Sequence, residues 1–151
     1  MITQKIILAS KSPRRRQLLE WAEIPFEVIV SETDENFPEH LLPAEVAIHI
    51  ATNKAMAIKK NIENLHTNGN AHTILAADTI VVLHNAVINK PKDRDDAIKI
   101  LQSLSGKQHE VITGVVLLQE EKEIRFAVVT QVEFHELTNE QIIFSVDKSK
   151  P

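Results

Sequence analysis

The sequence predicts an α/β fold, a mixed twisted sheet flanked by helices, and three observations carry that prediction. Short apolar runs alternate with segments of helical period through the first hundred or so residues. One run, Thr73–Leu83, is apolar on both faces, as a strand in the middle of a covered sheet must be. Late in the chain, residues 110–118 and 124–134 read as two long strands joined by the charged tip 119–123, an antiparallel hairpin. At 151 residues without an internal repeat, a single domain over 1–151 is the expectation.

Each element has a local reason. Residues 6–9 form a short apolar run with β-branched members, a buried strand. Ser12 can cap a helix, and Pro13 at its first position loses no needed N–H. The helix should run over 13–23, with Leu18, Leu19 and Ala22 turned to the core. Its first turn carries Arg14, Arg15 and Arg16. Cations at a helix N-terminus are each unfavourable by roughly 0.3–1 kcal/mol. They make sense there if an anion belongs at the junction; the plain alternative is a solvated basic turn.

Residues 26–30 alternate as a half-buried strand, and 31–36 form an acidic loop. Pro43 opens a second helix whose apolar stripe is Ala47, Ile50, Ala51, Ala57 and Ile58, with Lys54 in its middle. Residues 61–72, with Asn68-Gly69-Asn70, read as a polar surface loop. After the Thr73–Leu83 strand, His84-Asn85 turns the chain and 86–88 return it as a hairpin partner. Asp93 caps a third helix, with Asp95 and Asp96 in its favourable first turn and Ala97, Ile100, Leu101 and Leu104 facing inward. Gly106 ends it. Thr138 and Gln141 make a capping box for a last short helix containing Ile142 and Ile143.

Composition narrows the function. Hydrophobic and charged fractions of 43% and 25% are those of a globular chain. A net charge of −4 argues against general nucleic-acid binding. There is no cysteine, hence no disulfide framework and no thiol chemistry. No apolar run approaches membrane-spanning length and no signal-peptide pattern opens the chain, so a cytoplasmic protein is expected.

Asp78 is the sharpest candidate for chemistry. A carboxylate inside an apolar strand costs several kcal/mol unless it is paired, hydrogen-bonded or metal-bound. The structural alternative is a turn cap at the strand's end. Glu35, near Asp34 and Glu32, is a second carboxylate, though such loops are often merely solvated. Lys54 reads alone as a snorkelling side chain, and Lys90 before Pro91 as a loop lysine. Taken together, Arg14, Arg15, Lys54 and Lys90 with Asp78 and Glu35 have the composition of a triphosphate–metal site. P-loop, G-x-G-x-x-G, G-x-S-x-G and histidine metal motifs are all missing.

Six spaced segments carry a resemblance: Leu8-Ala9-Ser10-Lys11-Ser12-Pro13-Arg14-Arg15, Asp34-Glu35, Asn53-Lys54-Ala55, Ala77-Asp78-Thr79, Lys90-Pro91-x-Asp93, and Leu104-Ser105-Gly106-x-x-His109-x-Val111-x-Thr113-Gly114-Val115. In that order they resemble the Maf family of nucleoside triphosphate pyrophosphatases, whose fold is similar to that of the inosine triphosphatases. The resemblance implies a Mg²⁺- or Mn²⁺-dependent enzyme, often a homodimer, cleaving a nucleoside triphosphate between its α and β phosphorus atoms. It matches Asp78 to the catalytic proton acceptor and Glu35 to a metal or water-positioning carboxylate that also counts as catalytic, with both as metal carboxylates. Ser10, Arg14, Arg15, Lys54 and Lys90 match phosphate-contacting positions, and Arg14 and Thr79 match positions tied to base choice.

The Ala-Asp-Thr-Ile-Val form and the arginines after Ser12-Pro13 look like the dTTP/UTP branch. The rivals are a 7-methyl-GTP or modified-purine pyrophosphatase and a non-catalytic regulator that binds nucleotide or nucleic acid. The family pattern continues with an Asp-Lys-Ala-Gly-Ala-Tyr-Gly-Ile-Gln segment that has no counterpart before Pro151. A C-terminally shortened chain without the base-recognising glutamine is therefore the expectation.

Overall fold

A computed structural model describes residues 6–31, 33, 36–65, 73–119 and 122–148, without the side chains of 63–65. The described chain runs β1 (Ile6–Leu8), α1 (Pro13–Trp21), β2 (Phe26–Val28), α2 (Pro43–Leu65), β3 (Thr73–Leu83), β4 (Ala86–Ile88), α3 (Arg94–Leu104), β5 (Gln108–Gln119), β6 (Lys122–Glu133) and α4 (Asn139–Lys148). The strands form a six-stranded sheet in the order β2-β1-β3-β5-β6, with β4 paired to β3. β1 is parallel to β2 and β3, and β4 is antiparallel to β3. The sheet is mixed, as predicted. Two compact units are distinguished: residues up to Thr79 with Thr113–Val128, and Ile80–Ile112 with the residues from Val129 onward.

In the first unit the core lies between the sheet and α2. Ile7 lies on β1 and Ala9 just after it, Ile74 and Ala76 lie on β3, and Val116 and Leu118 on β5; all pack with Ala51, Ala55 and Ile58 of α2. Most of the predicted stripe is buried, with Ala47, Ala51 and Ile58 fully covered, but Ala57 is half-buried and Ala55 takes its place in the core. α2 continues through 61–65, where a loop was expected. Ile62, one helical turn after Ile58, packs against the same core and rewards the extra turn. Residues 66–72 of that expected loop lie outside the described residues. The close fit of α2 depends on Gly114 of β5. A Cβ there would stand 2.5 Å from the carbonyl carbon of Ala47 and 2.6 Å from its oxygen, so only glycine lets the two backbones approach.

Ser12 caps α1 as expected, accepting from the Arg15 N–H at 3.4 Å. The predicted inward face of α1 is a different matter. Leu18 is 55% exposed, Trp21 is 70% exposed and Ala22 is exposed, while Leu19 is only half-buried. The helical spacing is real, but no described element covers that side, and periodicity alone does not supply a neighbour. β2 is likewise mostly exposed beyond Phe26.

In the second unit the turn and cap signals hold, and of the inward face expected for α3 Leu104 is buried while Ala97, Ile100 and Leu101 are half-buried. His84 and Asn85 adopt φ of 51° and 65°, the left-handed pair of a tight hairpin turn between β3 and β4. Asp93 Oδ1 accepts from the Asp96 N–H at 2.8 Å to cap α3. Gly106 follows α3 at φ 67°. Thr138 and Gln141 satisfy each other's backbone N–H groups at 3.1 and 2.9 Å. Ile142 and Leu104 are buried, and the Arg94 guanidinium grips Asp147 across α3 and α4 at 2.8 Å. That hydrogen bond holds Arg94 above its ordinary pKa, reinforced by the charge of Asp147. His109 is buried against Phe134, ring edge to face at 4.7 Å, and its Nδ1 has no partner. Burial pushes its pKa down.

Candidate active site

The site is built where β1 ends beside the middle of β3. Ala9 N–H bonds to the Leu75 carbonyl at 2.9 Å, which sets the turn 10–12 against residues 77–79. In open α/β sheets the crevice beyond the carboxyl ends of parallel strands is where ligands bind. Asp78 lies inside β3, not at its end, and is only 5% exposed. Alternate strand residues share a face, so Asp78 falls in line with Ile74 and Ala76, on the face that packs against α2. From α2, Lys54 reaches in and places Nζ 3.2 Å from Asp78 Oδ1. The lysine in the apolar stripe thus has its reason: it meets the one buried acid on β3. A buried carboxylate without such a partner would be strongly destabilising.

Thr79, one residue on, faces the opposite way and is exposed. It carries the second half of the site. Arg15 folds back from the first turn of α1 and donates through Nη2 to Thr79 Oγ1 at 2.7 Å. Its Nη1 donates to Ser10 Oγ at 3.0 Å and to the Ala77 carbonyl at 3.2 Å. Ser10 is buried, and its Oγ also accepts from the Ser12 N–H at 3.2 Å. Burial lowers the pKa of Arg15 from its ordinary value, and the charge of Asp78 acts in the other direction. The guanidinium remains a cation throughout. Ser10, Arg15, Lys54, Asp78 and Thr79 are therefore brought together around one stretch of β3.

Arg14 is exposed and lines a surface groove along α1 with Pro13, Arg16, Gln17 and Glu20. Lys90 is exposed in the loop after β4, in the second unit. Glu35 lies outside the described residues. One participant had no expected role. Thr113 Oγ1 sits 2.9 Å from Thr79 Oγ1; the pair is 34 positions apart, and only its place beside Gly114 in a recognisable segment marked it. Among the described residues no cluster of three or more His, Asp or Glu side chains is placed to hold a metal ion.

A family model described as Maf-like protein matches residues 5–151. The chain belongs to the Maf-like family. A dTTP/UTP pyrophosphatase of Bacillus cereus (strain G9842) is 43% identical to this Maf-like chain over 148 residues, covering 98% of it and 74% of the relative. A dTTP/UTP pyrophosphatase of Bacillus anthracis is 42% identical over the same span. Among solved structures, the Ham1 protein of Staphylococcus aureus aligns with a TM-score of 0.58 at 14% identity, covering 86% of this chain and 71% of that one. That likeness establishes the shared α/β fold. No described helix is long and apolar enough to cross a membrane.

Proposed function

We propose that this Maf-like chain is a nucleoside triphosphate pyrophosphatase that hydrolyses dTTP and UTP to the monophosphate and pyrophosphate. The observation that carries the reading is the buried Asp78, paired with Lys54 on one side of β3 and flanked on the other by Arg15. The names of the relatives at 42–43% identity point to the same reaction.

In this reading Asp78 accepts a proton from the water whose oxygen attacks the α-phosphorus. The bond from that phosphorus to the bridging oxygen breaks, and pyrophosphate leaves with the electron pair. Lys54 holds the carboxylate in one orientation, so the base is positioned before substrate arrives. Arg15 presents fixed positive charge to the phosphate oxygens, with Ser10 bracing it; Arg14 is assigned to the outer phosphates. Thr79 is assigned to contact with the nucleotide.

A hard divalent cation, Mg²⁺ or Mn²⁺, fits the donor set as a site of few protein ligands. A carboxylate offers about four acceptor positions, so Lys54 leaves room on Asp78, and Glu35 is the second carboxylate. Such ions commonly take one or two carboxylates and complete their shell with phosphate and water. When bound, the cation supplies neutralisation of charge on the phosphate oxygens.

The test is pyrophosphate release across a nucleotide panel, with and without Mg²⁺. Metal-dependent release from dTTP and UTP above all others is expected. Preference for 7-methyl-GTP or a modified purine would move the substrate assignment, and binding without release would leave a regulatory module.

A further inference from the structure

Thr113 closes a relay that no role so far assigned to the site explains. From β5 its hydroxyl meets Thr79 on β3 at 2.9 Å, Thr79 accepts from Arg15 Nη2 at 2.7 Å, and Arg15 Nη1 spans Ser10 and the Ala77 carbonyl. We propose that Thr113 is a positioning residue of the nucleotide site: it fixes Thr79, and Thr79 holds the Arg15 guanidinium in the orientation that receives a phosphate group. This rests on the pyrophosphatase reading above and adds to it a residue that touches neither phosphate nor water.

Donor accounting supports the assignment. A guanidinium has five N–H groups. Three of those of Arg15 are engaged, two from Nη1 and one from Nη2. Nε–H and one Nη2–H remain to meet phosphate oxygens, and planar, two-point recognition of phosphate is what arginine does best. That recognition requires the plane of the guanidinium to be held. Ser10 and Ala77 anchor Nη1 alone, about which the group can still swing. Thr79 supplies the anchor on the other arm and makes the shortest of the three bonds, yet Thr79 is exposed. Without a partner its hydroxyl would turn among its staggered positions. Thr113, half-buried on the neighbouring strand, is the group that stops it. β5 is itself fixed at this point, because Gly114 lies against the backbone of α2.

The experiment compares Thr113→Val, which keeps the shape and removes the hydroxyl, with Thr113→Ser, which keeps the hydroxyl. For Thr113→Val the KM for dTTP should rise about tenfold, the scale of one lost hydrogen-bond partner. kcat should change much less, and Thr113→Ser, which keeps the hydrogen bond, should restore KM to within about threefold of native. In a Thr79→Val background, adding Thr113→Val should have no further effect, since both act through one chain of bonds. The Arg15 Nε–H signal in NMR spectra, assigned by its loss in Arg15→Lys, should shift in Thr113→Val and stay in place in Thr113→Ser. An unchanged KM in Thr113→Val, or a full additive effect in the Thr79→Val background, would overturn the proposal while leaving the pyrophosphatase reading intact. If the native chain neither binds nor cleaves any nucleotide, that reading fails instead, and an unmoved Arg15 signal would then overturn the relay on its own.

Discussion

β3 and β6 are nearly the same length and both rich in β-branched residues, yet they live in opposite surroundings. β3 has β1 and β5 at its sides and buries Ile74, Ala76, Ala77, Asp78, Ile80 and Val82. β6 is last in the strand order and exposes Ile124, Phe126, Val128 and Val129. Side-chain character makes a strand, and its neighbours decide its burial. It also explains why an acid on β3 is chemically informative. On β6 a carboxylate would simply be hydrated; at position 78 it needs Lys54.

Substitutions on the two strands should therefore separate sharply. The largest effect is expected at Asp78. Asp78→Asn keeps the shape and removes the base, so pyrophosphate release should fall by about 10²–10⁴-fold, with nucleotide binding retained in calorimetry. Substitution of the exposed Val128 by Thr should leave the rate within twofold or so, as surface changes away from a site usually do. Equal losses at both positions would erase the contrast.

Next in size is a matched pair read by denaturant unfolding. Ile74→Ala removes a side chain from the core under α2 and should cost about 2–5 kcal/mol. Ile124→Ala, 56% exposed, should cost no more than about 0.5 kcal/mol. Gly114→Ala on β5 is expected to cost about 1–3 kcal/mol through overpacking against Ala47, and a stability equal to native there would contradict the tight approach of α2.

These contrasts also mark how far the sequence could be read. Local chemistry was legible. Ser12, Asp93, the Thr138–Gln141 box, the His84-Asn85 turn and Gly106 each act within a few residues and sit where their chemistry placed them. Asp78 stood out because a charge in an apolar run demands a partner, and Lys54 because it interrupts an apolar stripe. What the pattern could not supply was the covering of each face. Leu18 and Ala22 have core spacing but no cover, and the extension of α2 to Leu65 follows from Ile62 finding the core. The Thr79–Thr113 bond joins strands distant in sequence, where no periodicity operates. Nor could composition separate Arg14 from Arg15; only the fold turns one outward and ties the other to Ser10, Ala77 and Thr79.

The smallest expected effect concerns pH. Burial depresses the pKa of His109 on β5, so the unfolded chain takes up a proton at a higher pH than the native one. Its contribution is whole above the unfolded value of about 6.5 and is lost as pH falls through the lower, native value. The melting temperature should therefore decline on acidification below that point, and His109→Gln should flatten this decline. An identical slope in the variant would assign the acid sensitivity to other groups.

The most direct measurement is a single turnover of dTTP in ¹⁸O-labelled water, run with the native chain and with Asp78→Asn. One labelled oxygen is expected in the nucleoside monophosphate, none in the pyrophosphate, and no product from the variant on the same timescale. Label in pyrophosphate or in free phosphate, or undiminished turnover by Asp78→Asn, would contradict it.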